Sequence, residues 1–244
     1  MKLIINADDF GLSKSITDGI IDGIKFGCIT STSIMVNMPY AKYAVENAVK
    51  NNINCVGLHI NLTVGKPVLT NNNLTDDNGV FLYNRKQIDR QDINYSDVYE
   101  EIVAQINLFE KYSGGKIKLD HLDTHHHLID NPVISQAIFD IAKKYNLPVR
   151  NWGGVPNYLK TPDVFMFGFT IKNVDYNYLK TYIMENKSKN IYAELATHAG
   201  YVDEETKSIT SYLNRDAELE ILKQAKQDGL FDDVELISFS QLLK

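Results

Sequence analysis

Residues 2–27, KLIINADDFGLSKSITDGIIDGIKFG, decide the fold. The opening KLIINAD is apolar and β-branched without strict alternation, the pattern of a strand covered on both faces. Acids and Gly11 interrupt it, and SITDGIIDGIKFG then carries apolar residues at helical spacing. Ser15 with Asp18 three residues on predicts a capping box at the start of that helix. A strand that passes through a short turn into a helix is the repeating unit of a parallel sheet, because parallel neighbours need a crossover.

The unit recurs to the end of the chain. TSTSIMVNM precedes the helical YAKYAVENAVKN, which closes near Asn51 and Asn52. CVGLHINLT is followed by a polar insertion, about Val64 to Tyr95, whose NNNLTDDNG supplies turn signals. Helical DVYEEIVAQINLFEKY stops at Gly114-Gly115, KLDHLDTHH is a fourth strand, and NPVISQAIFDIAKKYN is a helix with Pro132 in its first turn. LPVRNWG reads as strand five, NIYAELATH as strand six and VELISFSQLL as strand seven. Helices are predicted around Tyr176 to Lys187 and from Asn214 to Asp228. The expectation is an α/β protein, a distorted seven-stranded (β/α) barrel in a single domain over residues 1–244, with an open doubly wound sheet as the alternative. Neither G-x-G-x-x-G nor G-x-x-x-x-G-K-[ST] occurs, so a glycine-rich nucleotide turn has no support.

Bulk properties narrow the function classes. A net charge of −6 with no Lys/Arg block argues against nucleic acid, which demands a positive surface. MKLIINADDFG has too short an apolar run for a membrane span and lacks the build of a signal peptide, so a cytoplasmic location is expected. Cys28 and Cys55 are the two cysteines, too few for a disulfide framework or a thiolate zinc motif, and both are expected to be buried as small hydrophobes.

The six histidines fall in three short places: His59, the run His121 to His127, and His198. All three lie at the predicted carboxyl ends of strands, as do Asp8 and Asp9. In parallel α/β folds those ends share one rim, which carries the active site. Strand periodicity would put His121, Asp123, His125 and His127 on one face and His126 on the other. Asp8 and Asp9 alternate in an ideal strand, but a chain already turning toward Gly11 lets both reach one centre. Two imidazoles and a carboxylate make a three-ligand set for a divalent cation that leaves positions open for water. The competing reading is a histidine tract with fortuitous metal affinity. The triplet Asp9-Phe10-Gly11 also matches a kinase metal-binding motif, but its partner motifs are missing.

NADDFGLS, TSTSIMVN, VGLHINLTVGKPV, HLDTHHH and THAG, in that order from residue 6 to about 200, resemble the YdjC-like carbohydrate deacetylases, which include the chitooligosaccharide deacetylases. The resemblance implies a fold related to the NodB-like polysaccharide deacetylases. It implies that Asp9, His59 and His125 hold the metal, with magnesium first and zinc close behind, and that Asp8 is the catalytic base and His198 the acid. Arg150 sits where related enzymes place a charge that orients the base, and Asp123 is expected to orient an imidazole. The implied reaction removes the N-acetyl group from an acetylated amino sugar or small oligosaccharide, and the family leaves room for a homodimer. One departure stands out: relatives commonly read HHHxH where this chain has His127-Leu128-Ile129.

Two other classes remain. A different amidohydrolase would use the same rim but normally needs a histidine pair on strand one, which here has only acids. A non-catalytic sugar- or metal-binding regulator would have no reason to keep Asp8 and His198 beside the cluster. Residues 152–182 hold Trp152, Tyr158, Phe165, Phe167, Phe169, Tyr176, Tyr178 and Tyr182, expected mainly to pack the loop onto the barrel and secondarily to offer a glycan platform or dimer surface. The 64–95 insertion is a candidate lid.

Overall fold

A computed structural model describes residues 1–70, 73–170 and 172–243. Its centre is the strand Lys2–Phe10 (β1), buried at every position from Leu3 onward. Parallel to it run Ser31–Ile34 (β2), Val56–Ile60 (β3), Leu122–Thr124 (β4), Val164–Met166 (β5), Tyr192–Thr197 (β6) and Glu235–Leu236 (β7), in the order β4-β3-β2-β1-β6-β5. The seventh strand explains the distortion. One edge of β1 is divided, pairing with β7 at Lys2 and Leu3 and with β2 from Asn6 onward, while β6 runs along its other edge. The sheet curls until Asn151, beyond β4, donates its side-chain amide to the carbonyls of Pro162 and Asp163 just before β5. The expected distorted α/β barrel is therefore what the chain forms.

Helices cover the outside. Lys14–Phe26 (α1) buries Ile16, Ile20 and Ile21 at helical spacing, each such side chain contributing about 1.5–3 kcal/mol of burial. Its cap is Ser13, whose hydroxyl accepts from the Ile16 amide, and not the expected Ser15; the Ser15 hydroxyl is engaged with Thr206. Ala41–Lys50 (α2), Arg85–Ile88 (α3), Tyr95–Ser113 (α4), Pro132–Tyr145 (α5), Tyr176–Asn186 (α6), Glu204–Ile209 (α7) and Arg215–Gln227 (α8) follow. Gly114 in the left-handed region ends α4, and Asn131 caps α5 ahead of Pro132. No helix among the described residues is long and apolar enough to cross a membrane.

Two strand assignments change. LPVRNWG contributes one parallel bridge, Val149 to Leu122, because the chain leaves the sheet edge as soon as Arg150 is placed. The strand beside β6 is instead β5, inside the aromatic-rich segment expected to be a loop. β4 also stops at Thr124. His125–Asp130 forms irregular 3₁₀ turns in which His126 and His127 take positive φ of 60° and 53°, so alternation does not govern this run. In the insertion, Asn71 and Asn72 lie outside the described residues; the remainder folds back through a Thr75–Phe81 bridge and α3.

Candidate metal centre and its surroundings

At the end of β1 the register slips between Ala7 and Phe10, and Asp9 adopts φ 69°, a conformation rare for a residue with a side chain. This backbone turn brings Asp8 and Asp9 to the same rim, earlier than the expected bend at Gly11. The Asp9 Oδ1 atom lies 3.4 Å from His59 Nε2 and 3.1 Å from His125 Nδ1. Donors ligating one ion at about 2.1 Å with angles between 90° and 109° would stand about 3.0–3.4 Å apart. Buried Asp9 Oδ1 has no hydrogen-bond partner. An unsatisfied carboxylate oxygen facing two imidazole nitrogens fits a divalent cation. The other Asp9 oxygen is taken by Arg215 Nη2 at 2.6 Å, which leaves the carboxylate one free oxygen.

Asp123 meets one of the two imidazoles, that of His59. Their Oδ1–Nδ1 distance is 2.8 Å, so His59 offers Nε2 to the centre. Ser33 donates to Asp123 Oδ2 at 2.7 Å and fixes that carboxylate in turn. Burial disfavours a charged His59, but Asp123 and Asp8 outweigh it and lift the imidazole to about 10.

Asp8 is held in a bidentate fork by Arg150, at 2.7 and 2.9 Å, and accepts from Asn6 at 2.8 Å. Burial would raise this carboxyl; the guanidinium more than reverses it, and Asp8 is ionised below the ordinary carboxylate range. The same Arg150 reaches Asp123 Oδ2 at 3.0 Å and Glu194 Oε1 at 2.7 Å. One buried cation thus faces three buried carboxylates. Glu194, with the desolvation of its β6 position dominant, is pushed up to about 7. His198 follows β6; its Nδ1 lies 2.7 Å from the Thr170 hydroxyl, and burial pushes the imidazole below its ordinary value.

A glycine makes the last placement. A Cβ on Gly19 of α1 would stand 2.5 Å from the Tyr201 nitrogen and 2.7 Å from Gly200, so this position admits the backbone that follows His198 only as glycine.

Asp8, His59, His125, Arg150 and His198 line a cleft of about 340 Å³, with His126, His127 and Phe167. A second cleft of about 450 Å³ meets it at His125, His126 and His198, between Tyr83 of the insertion and Ile209 and Tyr212. His121 is absent from both. Contrary to its expected place on the site face, it is fully buried, paired with Asp120 and stacked on Phe239 with ring centroids 3.9 Å apart. Among the aromatic residues of 152–182, Phe167 lines the cleft and Phe165 covers Arg150 at 5.0 Å, whereas Phe169 is core. Sequence reasoning missed Ser33, Glu194, Arg215 and Glu218. The available signal was an acid within the apolar strand YAELAT, and Arg215 and Glu218 three apart on one helix face.

The Xyl-CE4 domain of a multidomain xylanase from the hindgut metagenome of Trinervitermes trinervoides superposes with TM-score 0.55 at 8% identity, over 99% of this chain and 88% of that one, which shows a shared fold. The chain itself belongs to the YdjC-like protein family, whose model matches residues 2–232. It is 35% identical over 250 residues to a carbohydrate deacetylase of Listeria monocytogenes serotype 4a (strain HCC23), covering 99% of this chain and all of that one. A crystal structure from Enterococcus faecalis V583, provisionally named a cellobiose-phosphate cleavage protein, has TM-score 0.89 at 28% identity, over 99% of this chain and 98% of that one.

Proposed function

We propose that this protein is a metal-dependent carbohydrate deacetylase, one domain over residues 1–244, which hydrolyses the N-acetyl group of acetylated amino sugars or small chitooligosaccharides. The observation that carries the reading is the unsatisfied Asp9 Oδ1 facing His59 Nε2 and His125 Nδ1 on a rim that also presents Asp8 and His198. Asp9, His59 and His125 would hold a divalent ion, which when bound polarises the amide carbonyl and acidifies water. Asp8, ionised and aimed by Arg150, accepts the proton of the attacking water. His198 donates a proton to the departing amine, so that acetate and a free amino sugar result. Arg150 keeps the charge of Asp8 compensated while it waits, and Asp123 keeps His59 in the tautomer that leaves Nε2 free.

The resemblance suggests magnesium, whereas two imidazoles among three donors favour zinc or a neighbouring transition metal. The joined clefts on either side of His125 and His198 support a substrate that extends beyond one ring. The E. faecalis name adds phosphorylated disaccharides to the substrates worth testing. The test is acetate release from N,N′-diacetylchitobiose, free and phosphorylated, by metal-stripped protein resupplied with Mg²⁺ or Zn²⁺ singly. Acetate that depends on the ion supports the proposal and chooses the metal. Protein that binds the ion, as shown by calorimetry, yet releases no acetate from any acetylated sugar would overturn it.

A further inference from the structure

We infer that Glu218 and Thr170 form a two-step hydrogen-bond relay that sets the tautomer of His198, which makes Thr170 and Glu218 positioning residues for proton delivery. The inference rests on the reading of His198 as the acid. The protons can be counted. Glu218, fully buried on α8, receives the Thr170 hydroxyl on Oε1 at 2.6 Å and the Tyr212 hydroxyl on the same oxygen. Its Oε2 receives the backbone amide of His198 at 2.7 Å and the Thr197 hydroxyl. A carboxylate encircled by four donors is an acceptor throughout.

The single hydroxyl proton of Thr170 is therefore spent on Glu218. Thr170 Oγ1 is fully buried and lies 2.7 Å from His198 Nδ1, so it has only a lone pair to offer that ring. Nδ1 must carry the hydrogen. His198 is then a Nδ1–H imidazole whose Nε2 is the nitrogen left for substrate, and an added proton resides on Nε2, the atom that has to release it. The carboxylate of Glu218 stabilises this arrangement through the hydroxyl rather than by direct contact with the ring.

The Arg215 side chain ties the relay to the candidate metal centre. Arg215, one helical turn before Glu218 on α8, donates to the His198 carbonyl at 3.3 Å and to Asp9 Oδ2 at 2.6 Å. One face of α8 thus holds both the carboxylate ligand and the imidazole, and fixes the distance between them.

The test compares Thr170→Val, which keeps shape and loses the hydroxyl, with Thr170→Ser, which restores it, and with His198→Gln as a reference. Long-range ¹H–¹⁵N spectra of the full protein read the ring directly. The expected result is an Nδ1–H tautomer for His198 in the parent and in Thr170→Ser, lost in Thr170→Val. In acetate-release kinetics Thr170→Val should lower kcat at least tenfold with KM within twofold, and Thr170→Ser should recover most of it. An Nε2–H tautomer in the parent, or full kcat in Thr170→Val while His198→Gln is impaired, would overturn the relay and leave the role of His198 standing. Full activity in His198→Gln would instead remove His198 as the acid, while the tautomer spectrum would still judge the hydrogen-bond chain.

Discussion

Replacing Arg150 with Met separates the electrostatic role of that residue from every other feature of the site. The guanidinium is buried and makes four close contacts, two with Asp8 at 2.7 and 2.9 Å, one with Asp123 at 3.0 Å and one with Glu194 at 2.7 Å. At an effective dielectric of about 20, each charge pair at about 4 Å is worth roughly 4 kcal/mol, so the gross attraction is on the order of 12 kcal/mol. Most of this is cancelled by the cost of burying the charges, and breaking such an arrangement by removing one partner typically costs about 3–5 kcal/mol. Arg150→Met should therefore lower unfolding stability by about that much at pH 7.5, read from urea unfolding of metal-free protein by circular dichroism. At pH 4.5 the orphaned carboxylates take up protons in the variant, and the deficit should fall. Arg150→Lys should sit between, since a point charge with no planar fork cannot serve three carboxylates together. A deficit below about 1 kcal/mol at pH 7.5, or one that does not shrink in acid, would refute the claim that Arg150 neutralises this cluster.

Other outcomes follow from single contacts. Glu194 binds its proton more tightly when folded, at about 7, than an unfolded Glu does. Its stabilising contribution is thus complete in acid and lost as pH rises toward and through about 7, and the deficit of Glu194→Gln relative to the parent should shrink over that interval; a deficit that grows would contradict this sign. Gly19→Ala should lose about 1–3 kcal/mol to overpacking against Tyr201 and Gly200, more than the roughly 1 kcal/mol gained in helix propensity, and should also slow acetate release through the displaced His198. Cys28 is buried as expected whereas Cys55 is only half-buried; desolvation pushes their thiols up to about 11 and about 12, so little thiolate forms at pH 8. Iodoacetamide should accordingly label native protein at least tenfold more slowly than protein in urea. Asp123→Asn should weaken metal binding by about 10–100-fold in calorimetry, because His59 loses its orienting carboxylate.

How much of this was legible depended on whether the deciding interaction was local. The strand KLIINAD, the spacing of Ile16 and Ile20, the stop at Gly114 and the Asn131-Pro132 start are written within a few residues, and each was read correctly. Strand five failed because Leu147, Pro148 and Val149 read as a short apolar strand, yet the chain must leave the sheet edge at Arg150, whose guanidinium meets Asp8. The histidine run failed in detail because positive φ at His126 and His127 has no signature in a row of identical residues. In the candidate site, Asp9, His59 and His125 do meet as the motifs led one to expect, and Arg150 does meet Asp8. Glu194, Arg215 and Glu218 were missed because, although an acid in YAELAT and a charged pair on one helix face are visible, the partners that explain these buried charges lie far along the chain.

The divided edge of β1 has a consequence for the order in which the molecule is built. Lys2 pairs with Tyr192 on one side and Glu235 on the other, so the strand that carries Asp8 and Asp9 receives those neighbours long after it has itself been made. Contacts of such sequence separation are entropically costly and slow to form. On the ribosome, β1 waits with its β6 edge unpaired while the middle of the protein emerges, which exposes that edge to wrong association. Asp9 can meet His59 and His125, and Asp8 can meet Arg150, before the last third is made, whereas the enclosing Glu194, His198 and Arg215 arrive with it.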